Sequence, residues 1–185
     1  MAVADVTIVR TTGAPLAAPV RRQVDAIFFE ASGRTFEPGA ERDAFRERWL
    51  GRYLDSGTDE VFLALAADGT VAGYLVGDVR DPAEQTRFND IGYFRAEFAH
   101  LTRQYPAQLH INLAPAFRDR GIGARLIEAF AERARAAGAP GMHAVTGEGM
   151  RNVRFYEGCG FAEQGSTTWN GRRIVFLGRP LGQGA

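Results

Sequence analysis

Apolar side chains recur along this 185-residue chain with two periods, and each change of period marks a boundary between elements. Val6–Thr12 is a β-branched run and predicts a first strand. Pro15 opens a helical stretch reaching about Ala31, with Leu16, Val20, Val24, Ile27 and Phe28 at helical spacing. After a polar loop over Ser32–Ala40, Glu41–Leu54 predicts a second amphipathic helix whose stripe is Phe45 and Trp49, extended by Leu50, Tyr53 and Leu54. Val61–Ala67 and Thr70–Val79 flank Asp68-Gly69, a hairpin signal because both turn positions favour positive φ. Asp81–Tyr105 has no clean period; a loop followed by a helix near Tyr93–Arg103 is the expectation. Beyond it come a strand at Gln108–Leu113, a helix at Gly121–Ala137 stopped by Gly138, a strand at Met142–Thr146 and a short helix at Arg151–Gly158. A last hairpin, Phe161–Trp169 with Arg172–Leu177, turns at Asn170-Gly171. The order β-α-α-β-β-insert-β-α-β-α-β-β, with no repeat or linker, is that of one mixed α/β layer structure.

Composition narrows the function classes. Hydrophobic residues make up 45% and charged residues 24%, which suits a packed domain. The 22 basic and 22 acidic side chains cancel, so no nucleic-acid partner is expected. All the basic residues are arginine, which excludes a phosphate-loop lysine, a Schiff-base lysine and a lysine general base. Cys159 is the one cysteine and the histidines at 100, 110 and 143 are dispersed, so no disulfide and no metal are expected. Met1–Arg10 lacks the regions of a signal peptide, and the longest apolar run, Val61–Ala67, is far short of the ~20 residues of a membrane helix. No membrane association and a cytoplasmic location are expected.

Chemistry enters where strand Gln108–Leu113 runs through Ala114-Pro115 into Arg118-Asp119-Arg120-Gly121-Ile122-Gly123, with a long helix following at once. Glycines there let the backbone turn tightly with its N–H groups outward, and the helix start adds the positive end of its dipole. The result suits a pyrophosphate, with Arg118 and Arg120 beside it, although the same glycines also suffice for a tight turn without a ligand. The missing third glycine separates it from the dinucleotide fingerprint. Further on, Asn152-Val153-Arg154-Phe155-Tyr156 and Gly158-Cys159-Gly160-Phe161 put an aromatic hydroxyl on a short helix ending in glycines.

In these two motifs the chain resembles the Gcn5-related N-acetyltransferase (GNAT) superfamily: Arg118–Gly123 is similar to its acetyl-CoA signature, and Asn152…Phe155-Tyr156…Gly160-Phe161 to its later element. The resemblance spans about Val6 to Leu181 and implies a single N-acetyltransferase-like domain over 1–185, with a core of about 6–181. It implies an α/β fold with a mixed sheet, splayed central strands (Gln108–Leu113 and Met142–Thr146) and helices on both faces. It also implies acetyl-CoA (coenzyme A) as cosubstrate, without a metal, and direct acetyl transfer to the amine of a small molecule or peptide. Backbone groups near Asn112 and Leu113 would pair with pantetheine, the amides of Arg120, Gly121, Ile122, Gly123 and Ala124 would hold the pyrophosphate with Arg118, and Asn152 and Tyr156 would complete the cofactor set. Asp119 departs from the signature, which often has glycine there, and a carboxylate beside a pyrophosphate weakens binding unless it is paired or turned away. A narrower stretch, Tyr105-Pro106-Ala107-Gln108-Leu109-His110-Ile111, resembles bacterial relatives of the acetyltransferase-like domain of O-GlcNAcase, some of which are thought to be pseudo-enzymes.

Each residue has a chemical and a structural reading. Tyr156 is either the proton donor to the departing thiolate or a packing aromatic; a phenol of pKa ~10 is protonated at neutral pH and can donate. Asn152 caps its helix or bonds the cofactor. His110 and Asn112 alternate onto one strand face, making His110 a candidate base for the acceptor amine or an interior histidine. No carboxylate lies on Gln108–Leu113, so a catalytically silent acetyl-CoA-binding or interaction module (a pseudo-acetyltransferase) is the alternative function. His143 and Cys159 are expected to pack, and the aromatics of Asp81–Tyr105 form a satellite cluster or wall the acceptor pocket. An exposed strand of the last hairpin could pair with a second copy as a homodimer.

Overall fold

A computed structural model of the chain describes residues 6–11, 15–55 and 60–182. In chain order the elements are β1 (Val6–Thr11), α1 (Ala18–Ser32), α2 (Ala40–Arg46), a π-helical turn (Glu47–Gly51), α3 (Arg52–Leu54), β2 (Glu60–Ala66), β3 (Val71–Asp78), α4 (Tyr93–Ala96), α5 (Ala99–Thr102), β4 (Ala107–Leu113), α6 (Ile122–Ala136), β5 (Gly141–Gly147), α7 (Arg151–Gly158), β6 (Ala162–Trp169) and β7 (Arg172–Pro180). The strands are hydrogen-bonded in the order β1-β2-β3-β4-β5-β7-β6, a seven-stranded mixed sheet that is parallel at β4–β5 and antiparallel at β1–β2, β2–β3, β5–β7 and β6–β7. Thr12, which the sequence adds to β1, lies outside the described residues. No helix among the described residues is long and apolar enough to cross a membrane.

Packing divides the chain into two compact units, Met1–Gly77 with His110–Phe130 and Asp78–Leu109 with Ala131–Ala185. In the first, the β3 residues Val71–Gly77 are all buried, as a near-continuous apolar run predicts for a strand covered on both faces. Its hairpin partner β2 puts Phe62 against Phe130 of α6. The connecting turn differs from the expected one: only Gly69 has positive φ, at +84°, while the Asp68 carboxylate accepts the Thr70 N–H at 2.9 Å. This is a longer turn closed by a left-handed glycine, and the aspartate acts through its side chain. The first helix begins at Ala18, with Pro19 rather than Pro15 at its start, and Val24, Ile27 and Phe28 are buried. The second predicted helix is interrupted by its π turn; Leu50, Tyr53 and Leu54 are buried there, and Trp49 is half-buried.

In the second unit, β5 pairs with β7 along its whole length, Gly141↔Pro180 to Gly147↔Ile174, but with β4 at only Ala107↔Met142 and Gln108↔His143. The last hairpin turns as predicted, with Asn170 at φ +48° and Gly171 at +72°. The helix expected near Tyr93–Arg103 is instead two one-turn helices, α4 and α5. They lack a helical period because their apolar residues serve tertiary contacts: Tyr93 packs on Trp169, Phe94 on His143 and Phe98 on Phe176. Phe88, Ile91, Tyr93, Phe94, Phe98 and Leu101 are all buried, which makes the segment a satellite core.

This segment is tied down by one carboxylate. Asp78, 1% exposed, accepts hydrogen bonds from Arg80 (3.0 Å) and Arg87 (2.5 Å). Burial alone would raise its pKa and is the largest influence, but the hydrogen bonds from Arg80 and the charges of Arg87 and Arg80 outweigh it, so the carboxyl sits below its ordinary 3.8. A depressed carboxylate contributes stability that is complete above the unfolded pKa and is lost as pH falls through the folded one. Asp78→Asn is expected to lower stability by ~1–3 kcal/mol at pH 7. The gap to wild type should begin to narrow below pH 3.8 and go on narrowing as pH falls further, which denaturant unfolding followed by circular dichroism over a pH series from 7 downward will measure.

Candidate functional site

The site residues of the first unit rest on a glycine. A Cβ built on Gly73 of β3 would overlap Leu113 Cδ2 and lie 2.8 Å from the Asn112 carbonyl oxygen. Only a missing side chain lets the end of β4 come this close, and a methyl there would cost about 1–3 kcal/mol in overpacking. The approach is held by the Ala114 N–H, which donates to the Ala72 carbonyl at 3.0 Å. Ala72 is the extra residue where the β2–β3 register shifts, pairing Ala64 with Gly73 and Leu65 with Val71.

From this anchor the chain turns into α6. Arg118, which the resemblance sets beside the pyrophosphate, donates from Nε to the Leu113 carbonyl at 3.1 Å and so staples the turn. One lone pair of that carbonyl is thereby used and the second remains for another donor. Arg120 is exposed, its guanidinium 5.9 Å from the Phe117 ring centroid, with no acidic partner among the described residues. Asp119 and Gly121 both have positive φ, +59° and +74°. The left-handed conformation at 119 is the one glycine adopts without strain, which is the backbone reason glycine suits that place; aspartate is among the few residues that tolerate it. A Cβ on Gly121 would meet nothing within 4 Å, so the space over the turn is open. The Arg125 N–H donates to the Gly121 carbonyl at 3.2 Å, so the helical ladder starts there. The amides of Ile122, Gly123 and Ala124 precede the ladder and have no carbonyl one turn back. A helix start whose open amides face open space beside an unpaired guanidinium fits a diphosphate.

On β4, His110 and Asn112 share the face that the π turn and α3 cover. The imidazole has Trp49 and Tyr53 edge-on, with ring centroids 5.8 and 5.6 Å away. Burial, with the Arg52 charge nearby, pushes His110 down to about 4. At neutral pH it is uncharged and a much weaker base than an ordinary histidine. Asn112 Nδ2 donates to the Tyr74 hydroxyl at 2.8 Å.

The second unit holds the later motif. The N-cap of α7 is Met150, so Asn152 does not cap its helix; its Oδ1 accepts from Thr146 Oγ1 at 3.0 Å. Tyr156, 4% exposed, packs against Phe155 and Phe161. Burial, with a smaller effect of Cys159, raises its phenol above the ordinary 10.0, so it is protonated throughout the physiological range. His143 stacks on Phe176 at 4.5 Å and donates from Nδ1 to the Tyr105 carbonyl, so it is a core residue as expected. Tyr105 itself lies close against Gly141 and Gly178, which gives the Tyr105–Ile111 stretch a packing role. Among the described residues no group of three His, Cys, Asp or Glu side chains could hold a metal.

The structure thus brings Asn112, Leu113, Arg118, Arg120 and the Gly121–Ala124 amides to one end of β4, and sets Asn152 beside Thr146. Tyr74 and Gly73 were missed. Both sit in a run that is apolar throughout, and nothing in its pattern separates a hydroxyl that holds a neighbour from one that merely packs.

A model of the acetyltransferase (GNAT) family matches residues 24–161. The fold is similar to that of a phosphinothricin acetyltransferase from Sinorhizobium meliloti solved with acetyl-CoA, 23% identical over 97% of this chain and 90% of that one, with a TM-score of 0.61. It is similar also to a Gcn5-related N-acetyltransferase from Kribbella flavida (19% identical, 94% and 98% covered, TM-score 0.62) and to the protein SsHAT (20% identical, 95% and 98% covered, TM-score 0.66). The mixed seven-stranded α/β sheet matches these neighbours, and with a family model spanning both motifs this chain belongs to the acetyltransferase (GNAT) family.

Proposed function

We propose that the protein is an acetyl-CoA-dependent N-acetyltransferase that passes the acetyl group directly to an amine. The Arg118–Ala124 turn carries this reading: positive φ at 119 and 121, open space over Gly121 and the start of the α6 ladder at its carbonyl together make a seat for a diphosphate. Family membership and a neighbour solved with acetyl-CoA support the same cosubstrate.

When bound, acetyl-CoA supplies an activated thioester whose transfer to an amine leaves the free CoA thiol. In this reading the amides of Ile122, Gly123 and Ala124 and the Arg120 guanidinium hold the diphosphate. The backbone of Asn112 and Leu113, fixed against Gly73, lies along pantetheine, and Asn152 joins the cofactor contacts. Tyr156 donates a hydrogen bond to the sulfur as it gains charge. A phenol this reluctant to ionise serves better as a fixed donor than as a carrier that gives its proton away completely. The acceptor nitrogen loses one proton as its bond to the acetyl carbon forms and the carbon–sulfur bond breaks, and that proton ends on the thiol. His110 is too weak a base to strip an alkylammonium.

That last property, with no carboxylate on β4, also favours a second reading, an acetyl-CoA-binding module without turnover, which the resemblance of Tyr105–Ile111 to relatives of the O-GlcNAcase-attached domain supports. Acetyl-CoA binding without thiol release across a broad amine panel would select it.

Two measurements test the enzyme reading. Gly121→Asp forces a side chain into the left-handed region and sets a negative charge over the helix start, so acetyl-CoA affinity by calorimetry should fall at least ~10-fold, about 1.4 kcal/mol. Asp119→Gly relieves left-handed strain of ~1 kcal/mol and removes a charge, so affinity should rise. Unchanged affinity in both folded variants would remove the turn from the site. Tyr156→Phe keeps the ring, so acetyl-CoA affinity should hold while kcat falls ~10²–10⁴-fold. The wild-type pH–rate profile should show no Tyr156 ionisation below pH 10, because its pKa is raised above 10.0. Wild-type kcat in the Phe variant would exclude the donor role.

A further inference from the structure

The π turn Glu47–Gly51 and α3 lie over β4 where two side chains keep hydrogen-bonding capacity in reserve. Neither ring nitrogen of His110 has a hydrogen-bond partner among the described residues; its recorded neighbours are the Trp49 and Tyr53 rings and the Arg52 charge. Asn112 gives one amide N–H to Tyr74, and its carboxamide oxygen has no partner among the described residues. Both side chains are half-buried and two residues apart on one strand face. Neither is sealed from water, so the open acceptors of both are accessible to an entering ligand.

The chemistry of the set restricts that ligand. A neutral imidazole accepts at one nitrogen and the Asn112 oxygen accepts at another point, which matches the two N–H bonds of an uncharged primary amine. An ammonium would need a carboxylate, and the nearest acidic side chain on the π turn, Glu47, lies over Gly51 instead. The Arg52 charge opposes a second cation. The half-buried Trp49 ring gives a flat apolar wall beside His110. π turns recur at functional sites because their extra residue moves side chains off the regular helical positions.

We propose that Trp49, Tyr53, His110 and Asn112, the last held by Tyr74, form the acceptor subsite and that it takes a primary aromatic amine, uncharged at neutral pH. This rests on the N-acetyltransferase reading. The Asn112 oxygen and the His110 nitrogen hold the amine N–H groups, and the ring of the acceptor lies along Trp49. Such an amine arrives with its lone pair available, so no strong base is required. One N–H proton passes to the CoA sulfur as the carbon–nitrogen bond forms and the carbon–sulfur bond breaks.

Aniline and benzylamine are the probes, differing by one methylene and in charge at pH 7. With acetyl-CoA and thiol release as readout, kcat/KM for aniline should exceed that for benzylamine by ~100-fold or more. Trp49→Ala should raise KM for aniline ~10-fold with acetyl-CoA affinity by calorimetry unchanged. Asn112→Asp should shift the ratio toward benzylamine, because a carboxylate now meets the ammonium. Preference of the wild type for benzylamine overturns the proposal, as does a Trp49→Ala variant that changes only the melting temperature, or an Asn112→Asp ratio equal to wild type. Acetyl-CoA binding without acetylation of aniline also overturns it and leaves the cofactor reading intact; failure to bind acetyl-CoA removes both.

Discussion

The close approach of β4 to β3 at Gly73 is the constraint on which the rest of the first unit's site depends. With no side chain at 73, the Asn112–Leu113 backbone settles against β3, and the Ala114 N–H finds the Ala72 carbonyl. From that fixed point the chain has seven residues, Ala114–Arg120, before the α6 ladder begins at Gly121, and Arg118 closes the distance by bonding back to Leu113. Position 121 is then set by geometry, and the open amides of α6 face outward at a place the strand has chosen. A side chain at 73 would displace Asn112, the turn and the helix start together.

Burial and arginine set the protonation states that the chemistry uses. Asp78 stays ionised inside the protein because two guanidiniums offset its desolvation. His110 meets burial and a guanidinium that act in the same direction, and becomes a neutral hydrogen-bonding group. Tyr156 meets burial, with a smaller effect of Cys159 in the same direction, and keeps its proton. An arginine-only complement suits this, since a guanidinium remains charged where a lysine would lose its proton on burial.

Aromatic residues do three different things at similar spacing. In α4 and α5 they cement the segment to β6 and β7 through edge contacts such as Tyr93–Trp169. In α7 Tyr156 is enclosed by Phe155 and Phe161, so a hydroxyl is carried on an otherwise apolar cluster. On the π turn Trp49 stays half-exposed beside a histidine. Sequence period separates none of these, because each depends on which distant element lies across the ring.

What the sequence determined by itself is local. The element order, the Asn170-Gly171 turn, the stop at Gly138 (φ +80°), the span of α7 and the apolar face of α6 follow from backbone preferences and periodicity acting over a few residues. The glycine turn before α6 was legible for the same reason, since positive φ and a helix start are written in neighbouring positions. Only the tertiary structure decided the rest. The π turn within the second helix, the splitting of the 93–103 segment, the role of Arg118 as a staple, the Tyr74–Asn112 bond and the neutral state of His110 each depend on a partner between five and seventy-eight residues away or on burial that no local pattern records. Backbone conformation is a short-range property and survives in the sequence; desolvation and hydrogen-bond partnership arise only when the chain is folded.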